Sequence, residues 1–127
     1  MRYVLSILGV ICALTFVLTH GIVVVTGESM RPTLARGDLV VYRRTDTAGA
    51  GEVVLFAREE GGLVVHRVVA PGARGTLRTK GDANASADVA LVPSDRLRGR
   101  IVLRIPFGSV VAEACDGLCY TSQSVTQ

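Results

Sequence analysis

Hydrophobic and polar positions divide the chain into two regimes. Residues 3–19, YVLSILGVICALTFVLT, contain no charge. As a helix, these 17 residues would rise ~26 Å, at the short end for a bilayer core. Extending the segment through Gly21 to Val25 lengthens it but includes His20. The β-branched run Ile22-Val23-Val24-Val25 suits either the frayed end of an anchor or a first strand. Beyond it the apolar runs are short. LVVY at 39–42 follows a Gly37-Asp38 turn, and VVLF at 53–56 follows Gly49-Ala50-Gly51. LVVHRVV at 63–69 follows Glu59-Glu60-Gly61-Gly62, and a short strand is expected at 76–79 after the break at 71–75. RGRIVLRI at 98–105 alternates in part. Short strands between glycine and proline breaks predict antiparallel hairpins, with 59–62 as one hairpin turn.

The expected fold is therefore mainly β: a single N-terminal transmembrane helix, then a small antiparallel β domain. The predicted division is a membrane anchor at 1–25, a β domain at 26–108 and a mobile tail at 109–127. Roughly 100 residues beyond the anchor can bury a single modest core. A cleaved signal peptide is the alternative for the apolar segment. Its small-x-small cleavage site is missing, since Thr19-His20-Gly21 is a poor one and Ala13 comes too early. Arg2 and the amino terminus are the only charges before the segment, so the positive-inside rule puts the N-terminus in the cytoplasm and the β domain outside.

Charge and cysteine content narrow the functional classes. The net charge is +3, and the basic residues are scattered with no run longer than Arg43-Arg44. Aromatics make up only 5%. A nucleic-acid surface would show clustered basic residues interleaved with aromatics, so no nucleic-acid partner is expected. Cys12 lies in the apolar run, while Cys115 and Cys119 form a C-x₃-C pair open to a local disulfide if the tail is extracellular. His20 and His66 are the only histidines, and no second cysteine pair exists, so neither a metal nor another cofactor is expected.

The candidate chemistry starts at Thr26-Gly27-Glu28-Ser29-Met30-Arg31-Pro32-Thr33-Leu34, within a few residues of the predicted membrane edge. A nucleophilic serine needs a base to take its proton and a group to orient that base. His66 is the only histidine inside the β part, on a strand face shared with Val64 and Val68. A lone histidine among valines is also what a core position looks like. The loop Lys80-Gly81-Asp82-Ala83-Asn84-Ala85-Ser86-Ala87-Asp88 offers two acids, which are equally suited to turns. Asn84-Ala85-Ser86 matches a glycosylation site, but a glycan there would crowd the acids, and the match is taken as chance.

Together these segments resemble the type I signal peptidases. Gly27-x-Ser29-Met30-x-Pro32-Thr33-Leu34 followed by Gly37-Asp38 is similar to that family's nucleophile box. Gly51-Glu52-Val53-Val54 resembles its next strand, His66-Arg67-Val68-Val69 its base segment, Thr79-Lys80-Gly81-Asp82 with Asp88 its acidic loop, and GRIVLRIP its closing strand. Histidine at 66, where many members carry lysine, resembles the Ser-His-Asp branch of the endoplasmic reticulum, archaea and some Gram-positive bacteria. The resemblance implies a membrane-anchored serine endopeptidase that removes signal peptides from preproteins after small side chains. It implies catalysis by Ser29, His66 and Asp88, with Asp82 in a supporting part. It also implies that Gly27, Ser29, Met30 and Pro32 form the oxyanion and substrate site. Membrane lipid and signal peptides are the expected partners. A specialised processing protease of the same superfamily and an inactive anchored β-module are the alternatives. Gly27 departs from the serine often found there, so the oxyanion would rely on backbone N–H groups. Glu28 stands where this branch usually has glycine, and its carboxylate must point away from the oxyanion.

Overall fold

The structure, a computed structural model, describes residues 1–108. Helix α1 spans Arg2–Thr19, and six strands follow: β1 His20–Val24, β2 Leu39–Arg43, β3 Val53–Ala57, β4 Leu63–Pro71, β5 Leu77–Lys80 and β6 Leu97–Ile105. They form one antiparallel sheet in the order β1-β2-β6-β3-β4-β5. β6, the last described strand, separates β2 from β3. The predicted turn at 59–62 joins β3 to β4, with Gly61 and Gly62 at φ +97 and +88, a region that favours glycine.

Three pairings carry register shifts, at Val41/Tyr42, Leu55/Phe56 and Val68/Ala70. Such bulges sharpen the local twist. The twisted sheet buries a different half of each face, so there are two core clusters where one was expected. Val54, Phe56, Val68, Leu77, Val92 and Leu97 form the first. Val25, Met30, Leu34 and Val40 form the second, joined by Val53 and Val65. Period-two alternation along β3 and β4 places Val53 and Val65 on the face opposite Val54 and Val68. The second cluster lies beneath the loop that carries Ser29.

α1 is shorter than the predicted anchor at 1–25, because residues 20–24 pair with β2 as a strand. Among the described residues no helix is long and apolar enough to cross a membrane. Eighteen helical residues rise ~27 Å, short of the ~30 Å hydrocarbon core. The large apolar side chains of α1, from Val4 at 65% exposed to Leu18 at 64%, have no cover among the described residues. The helix end is tied to the domain. Arg44 donates from its guanidinium to the carbonyls of Leu18 at 2.5 Å and Val17 at 3.2 Å, and from its N–H to Thr19 O at 2.8 Å. A cation there also opposes the negative end of the helix dipole. His20 stacks on Phe16 with ring centroids 4.4 Å apart and is both the cap of α1 and the first residue of β1. The predicted tail at 109–127, with Cys115 and Cys119, lies outside the described residues.

Candidate active site

The loop from β1 to β2 is closed at its base and plugged into the core. Val25 N–H donates to Asp38 O at 2.8 Å, and Gly37 N–H returns to Val25 O at 2.7 Å. Met30 and Leu34, 1% and 2% exposed, fill the second core cluster, and Leu34 N–H bonds to Met30 O at 2.9 Å. Asp38, wholly buried, accepts from Ala35 N at 2.9 Å, Arg104 Nε at 2.6 Å and Gly108 N at 3.0 Å. Burial works to raise its carboxyl. The hydrogen bonds from Ala35, Gly108 and Arg104, with the charge of Arg104, outweigh burial and hold it below its usual range. Ser29 thus sits one residue before a buried methionine in a loop fixed at both ends.

His66 rises from β4 on the face of the first core cluster, 6% exposed, edge-on to Phe56 at 6.1 Å between ring centroids. It is packed as a core histidine and also bonded on both nitrogens. Nε2 lies 3.1 Å from Ser29 Oγ, and Nδ1 lies 2.6 Å from Asp88 Oδ2. A carboxylate only accepts, so Nδ1 carries the proton and Nε2 is left to accept from the serine hydroxyl. Thr79, fully buried, donates from Oγ1 to the same Asp88 oxygen at 2.6 Å, and Asp88 N–H bonds to Thr79 O at 2.8 Å. Thr79 therefore fixes the carboxylate that orients the imidazole.

Asp82, expected in support of the catalytic set, faces away from His66. Its Oδ1 accepts from Arg67 Nε at 2.9 Å, and its Oδ2 accepts from Arg67 Nη2 at 2.7 Å and Thr33 Oγ1 at 2.5 Å. The Arg67 hydrogen bonds hold its carboxyl below the usual range, helped by Thr33 and by the charges of Arg67 and Lys80, against the opposing effect of burial. The Arg67 guanidinium is raised in turn by its bonds to Asp82. This clamp joins the nucleophile loop, β4 and the acidic loop. Gly81 lets the nucleophile and acidic loops approach closely, since a Cβ there would stand 2.6 Å from Ser29 O. Ala83 N–H bonds that same carbonyl at 2.8 Å. Arg67, Thr79 and Gly81 lie in the quoted motifs, but nothing in their local pattern announces these roles.

Ser29 opens on a cleft of about 660 Å³, flanked on one side by residues 23–27 and on the other by residues 61–65. β1 is an edge strand, and β5 pairs with β4 only from Arg67 onward, so both flanks present unpaired backbone. Gly27 and Met30 line this cleft, although the Met30 side chain is mainly a core plug. Pro32, expected at the oxyanion or substrate site, is exposed further along the loop and is not among the cleft-lining residues. The Ser29 N–H donates to no protein acceptor among the described residues. The Glu28 carboxylate is turned to the Arg31 guanidinium. No group of three or more metal-ligating side chains occurs among the described residues.

A small antiparallel β domain thus brings Ser29, His66 and Asp88 together beside a groove with open strand edges. Residues 18–101 match the Peptidase S24-like family, and the chain belongs to that family. It is similar to the signal peptidase complex catalytic subunit SEC11 of Verticillium alfalfae, 37% identical over 103 residues, covering 68% of this chain and 58% of the relative. The protein of that name from Pyricularia oryzae is 35% identical over 103 residues, with the same shares. The one from Colletotrichum graminicola is 36% identical over 100 residues, again with the same shares. The chain thus spans 58% of the length of these relatives. These likenesses bear out the resemblance to type I signal peptidases read from the sequence.

Proposed function

We propose that the protein is a serine endopeptidase that removes signal peptides from preproteins. The observation that carries the proposal is the continuous chain from Ser29 Oγ through His66 to Asp88, at 3.1 and 2.6 Å. Neutral His66 takes the Ser29 proton through Nε2 as the serine attacks the scissile carbonyl. Asp88, fixed by Thr79, stabilises the imidazolium that forms. The oxyanion is met by the Ser29 N–H and its neighbours. His66 then returns the proton to the leaving amine, and water hydrolyses the acyl-enzyme by the same route in reverse. An extended peptide fits between residues 23–27 and 61–65 as an added strand, which aligns its carbonyl with Ser29.

The uncovered apolar surface of α1 supports attachment to a membrane, with the β domain on the extracytoplasmic side. A signal peptide holds its own cleavage site near the membrane face, so an enzyme attached there meets it at the same depth. Asp82 serves as a positioning residue, through Arg67 and Thr33. The test is cleavage of a preprotein with a small-x-small site by the detergent-solubilised full chain. Wild type should cut at that site, Ser29→Ala and His66→Ala should not, and Lys80→Ala should keep most activity. Wild-type cleavage by Ser29→Ala would overturn the proposal.

A further inference from the structure

Ser29, His66 and Asp88 leave three polar side chains of the cleft lining without a part. Thr26 lies on one flank, Arg58 belongs to the hairpin that carries the other, and Asn84 stands on the acidic loop. Both flanks lead into the reacting pair, since 23–27 runs on to Ser29 and 61–65 runs on to His66. The pair therefore lies at one end of the cleft, and the acidic loop bars that end. Ala83 N–H donates to Ser29 O at 2.8 Å, and the Asp88 carboxylate accepts from His66 Nδ1 at 2.6 Å. Between those ties only Asn84 reaches the cleft, because Ala85, Ser86 and Ala87 do not line it. Asn84 N–H bonds to Gly81 O at 3.0 Å, which fixes its backbone. Its Nδ2 and Ser29 O both crowd the place of a Gly81 Cβ, at 2.8 and 2.6 Å, so the carboxamide stands beside the nucleophile's own carbonyl. The residue is exposed, and its carboxamide has no hydrogen-bond partner among the described residues.

We propose that Asn84 positions the mature side of the substrate, by hydrogen-bonding the peptide group that follows the scissile bond. The inference rests on the peptidase reading above and deepens it, from the bond that is cut to the segment that is released. An acyl part seated between the two flanks ends at Ser29, so the released segment has to leave across the loop that bars the cleft. His66 Nε2 protonates the leaving amine, which keeps the first mature-side residue against His66 and within reach of this loop. The two acids of the loop are already engaged, Asp82 by Arg67 and Asp88 by His66. Asn84 is then the polar side chain that the departing backbone meets. A carboxamide offers N–H donors and a carbonyl acceptor, the complement of the C=O and N–H of a peptide unit. Such a contact reads backbone and not side chain, so it constrains geometry without fixing sequence. Holding the leaving segment keeps the scissile bond aligned both for attack by Ser29 and for protonation by His66.

The test compares two substrates with the same small-x-small signal side, using the detergent-solubilised full chain. One continues as a peptide beyond the cut. The other ends there as a methyl ester and has no mature side. Asn84→Ala should lower kcat/KM for the peptide roughly tenfold, the worth of one or two neutral hydrogen bonds, and leave the ester within about twofold of wild type. Hydrolysis of the ester also shows that the site is folded. Equal loss on both substrates would place the amide at the oxyanion or in the structure of the loop, and no loss on either would leave it without a part. Each of these results overturns the proposal. Ser86→Ala, which breaks the Asn84-Ala85-Ser86 glycosylation pattern and keeps the amide, should match wild type on both substrates. A loss equal to that of Asn84→Ala would make Asn84 a glycan acceptor and would also overturn it. If Asn84→Ala does not fold, wild type decides through peptides lengthened residue by residue beyond the cut. Their kcat/KM should step up roughly tenfold with the first or second mature-side residue, and a flat series would overturn the proposal. Wild type that hydrolyses neither substrate would remove the peptidase reading itself, and this proposal with it.

Discussion

Replacing Gly81 by alanine puts one methyl group between the two loops that build the site. A Cβ at this position would lie 2.6 Å from Ser29 O and 2.8 Å from Asn84 Nδ2. Asn84 can swing aside, but Ser29 O is backbone of the nucleophile loop and cannot. Ordinary contact begins at 3.4 Å, so 3.4 less 2.6 leaves about 0.8 Å of separation to be made. Gly81 is not among the glycines with positive φ, so the effect is steric and carries no backbone strain. Overpacking of this kind destabilises by about 1–3 kcal/mol. For a domain of this size each kcal/mol lowers Tm by roughly 4–8 °C. The Ala83 N–H to Ser29 O bond, 2.8 Å, lengthens first, and the Ser29–His66 contact of 3.1 Å follows because Met30 pins the other side of the loop. A displacement near 1 Å at a reacting group costs on the order of 10²-fold in rate. Thermal unfolding followed by circular dichroism, with kcat measured well below Tm, separates the two effects. A wild-type Tm together with a wild-type kcat would refute the close approach of these loops.

Asp88→Asn should leave the fold intact by circular dichroism and lower kcat by about 10³–10⁴-fold, because an amide can impose the wrong imidazole tautomer. Asp82→Asn should act on stability, by about 1–2 kcal/mol once the part-exposed Arg67 is discounted for solvent screening. Its sign with pH is set by the lowered carboxyl. The stabilisation is complete above the ordinary value of 3.8 and is lost as pH falls through the lower folded value. Denaturant midpoints of Asp82→Asn and wild type should therefore differ most near neutrality and converge in acid. A gap that widens in acid would contradict the clamp.

Much of the sheet was legible because its strands carry local signals. β-branched runs bounded by glycine mark β2, β3 and β4 to within two residues, and Gly61-Gly62 marks their hairpin. Ser29, His66 and Asp88 could be nominated from motif and residue type. What could not be read was anything set by strand order. β6 inserts between β2 and β3 and lends Leu97 to one core cluster and Ile101 to the other. The Thr33–Asp82 bond spans 49 residues, so the turn-like Asp82 beside Gly81 gave no sign of a partner. Thr79 looked like an ordinary strand residue, and only the β4–β5 pairing brings it under Asp88. The end of the helix was misplaced because His20 and the valines after it are apolar enough to extend an anchor. The partner strand that claims them lies nearly 20 residues further on.

The proposed mechanism requires Ser29 to form a covalent acyl-enzyme with the signal-peptide side of its substrate. Detergent-solubilised full chain would be mixed with excess preprotein, quenched in acid within the first turnover, digested and analysed by mass spectrometry. An adduct with the mass of the signal-side fragment is expected on the peptide that contains Ser29, present in wild type and absent in Ser29→Ala. Steady cleavage with no adduct at Ser29, or an adduct that persists on another residue of Ser29→Ala, would contradict the account.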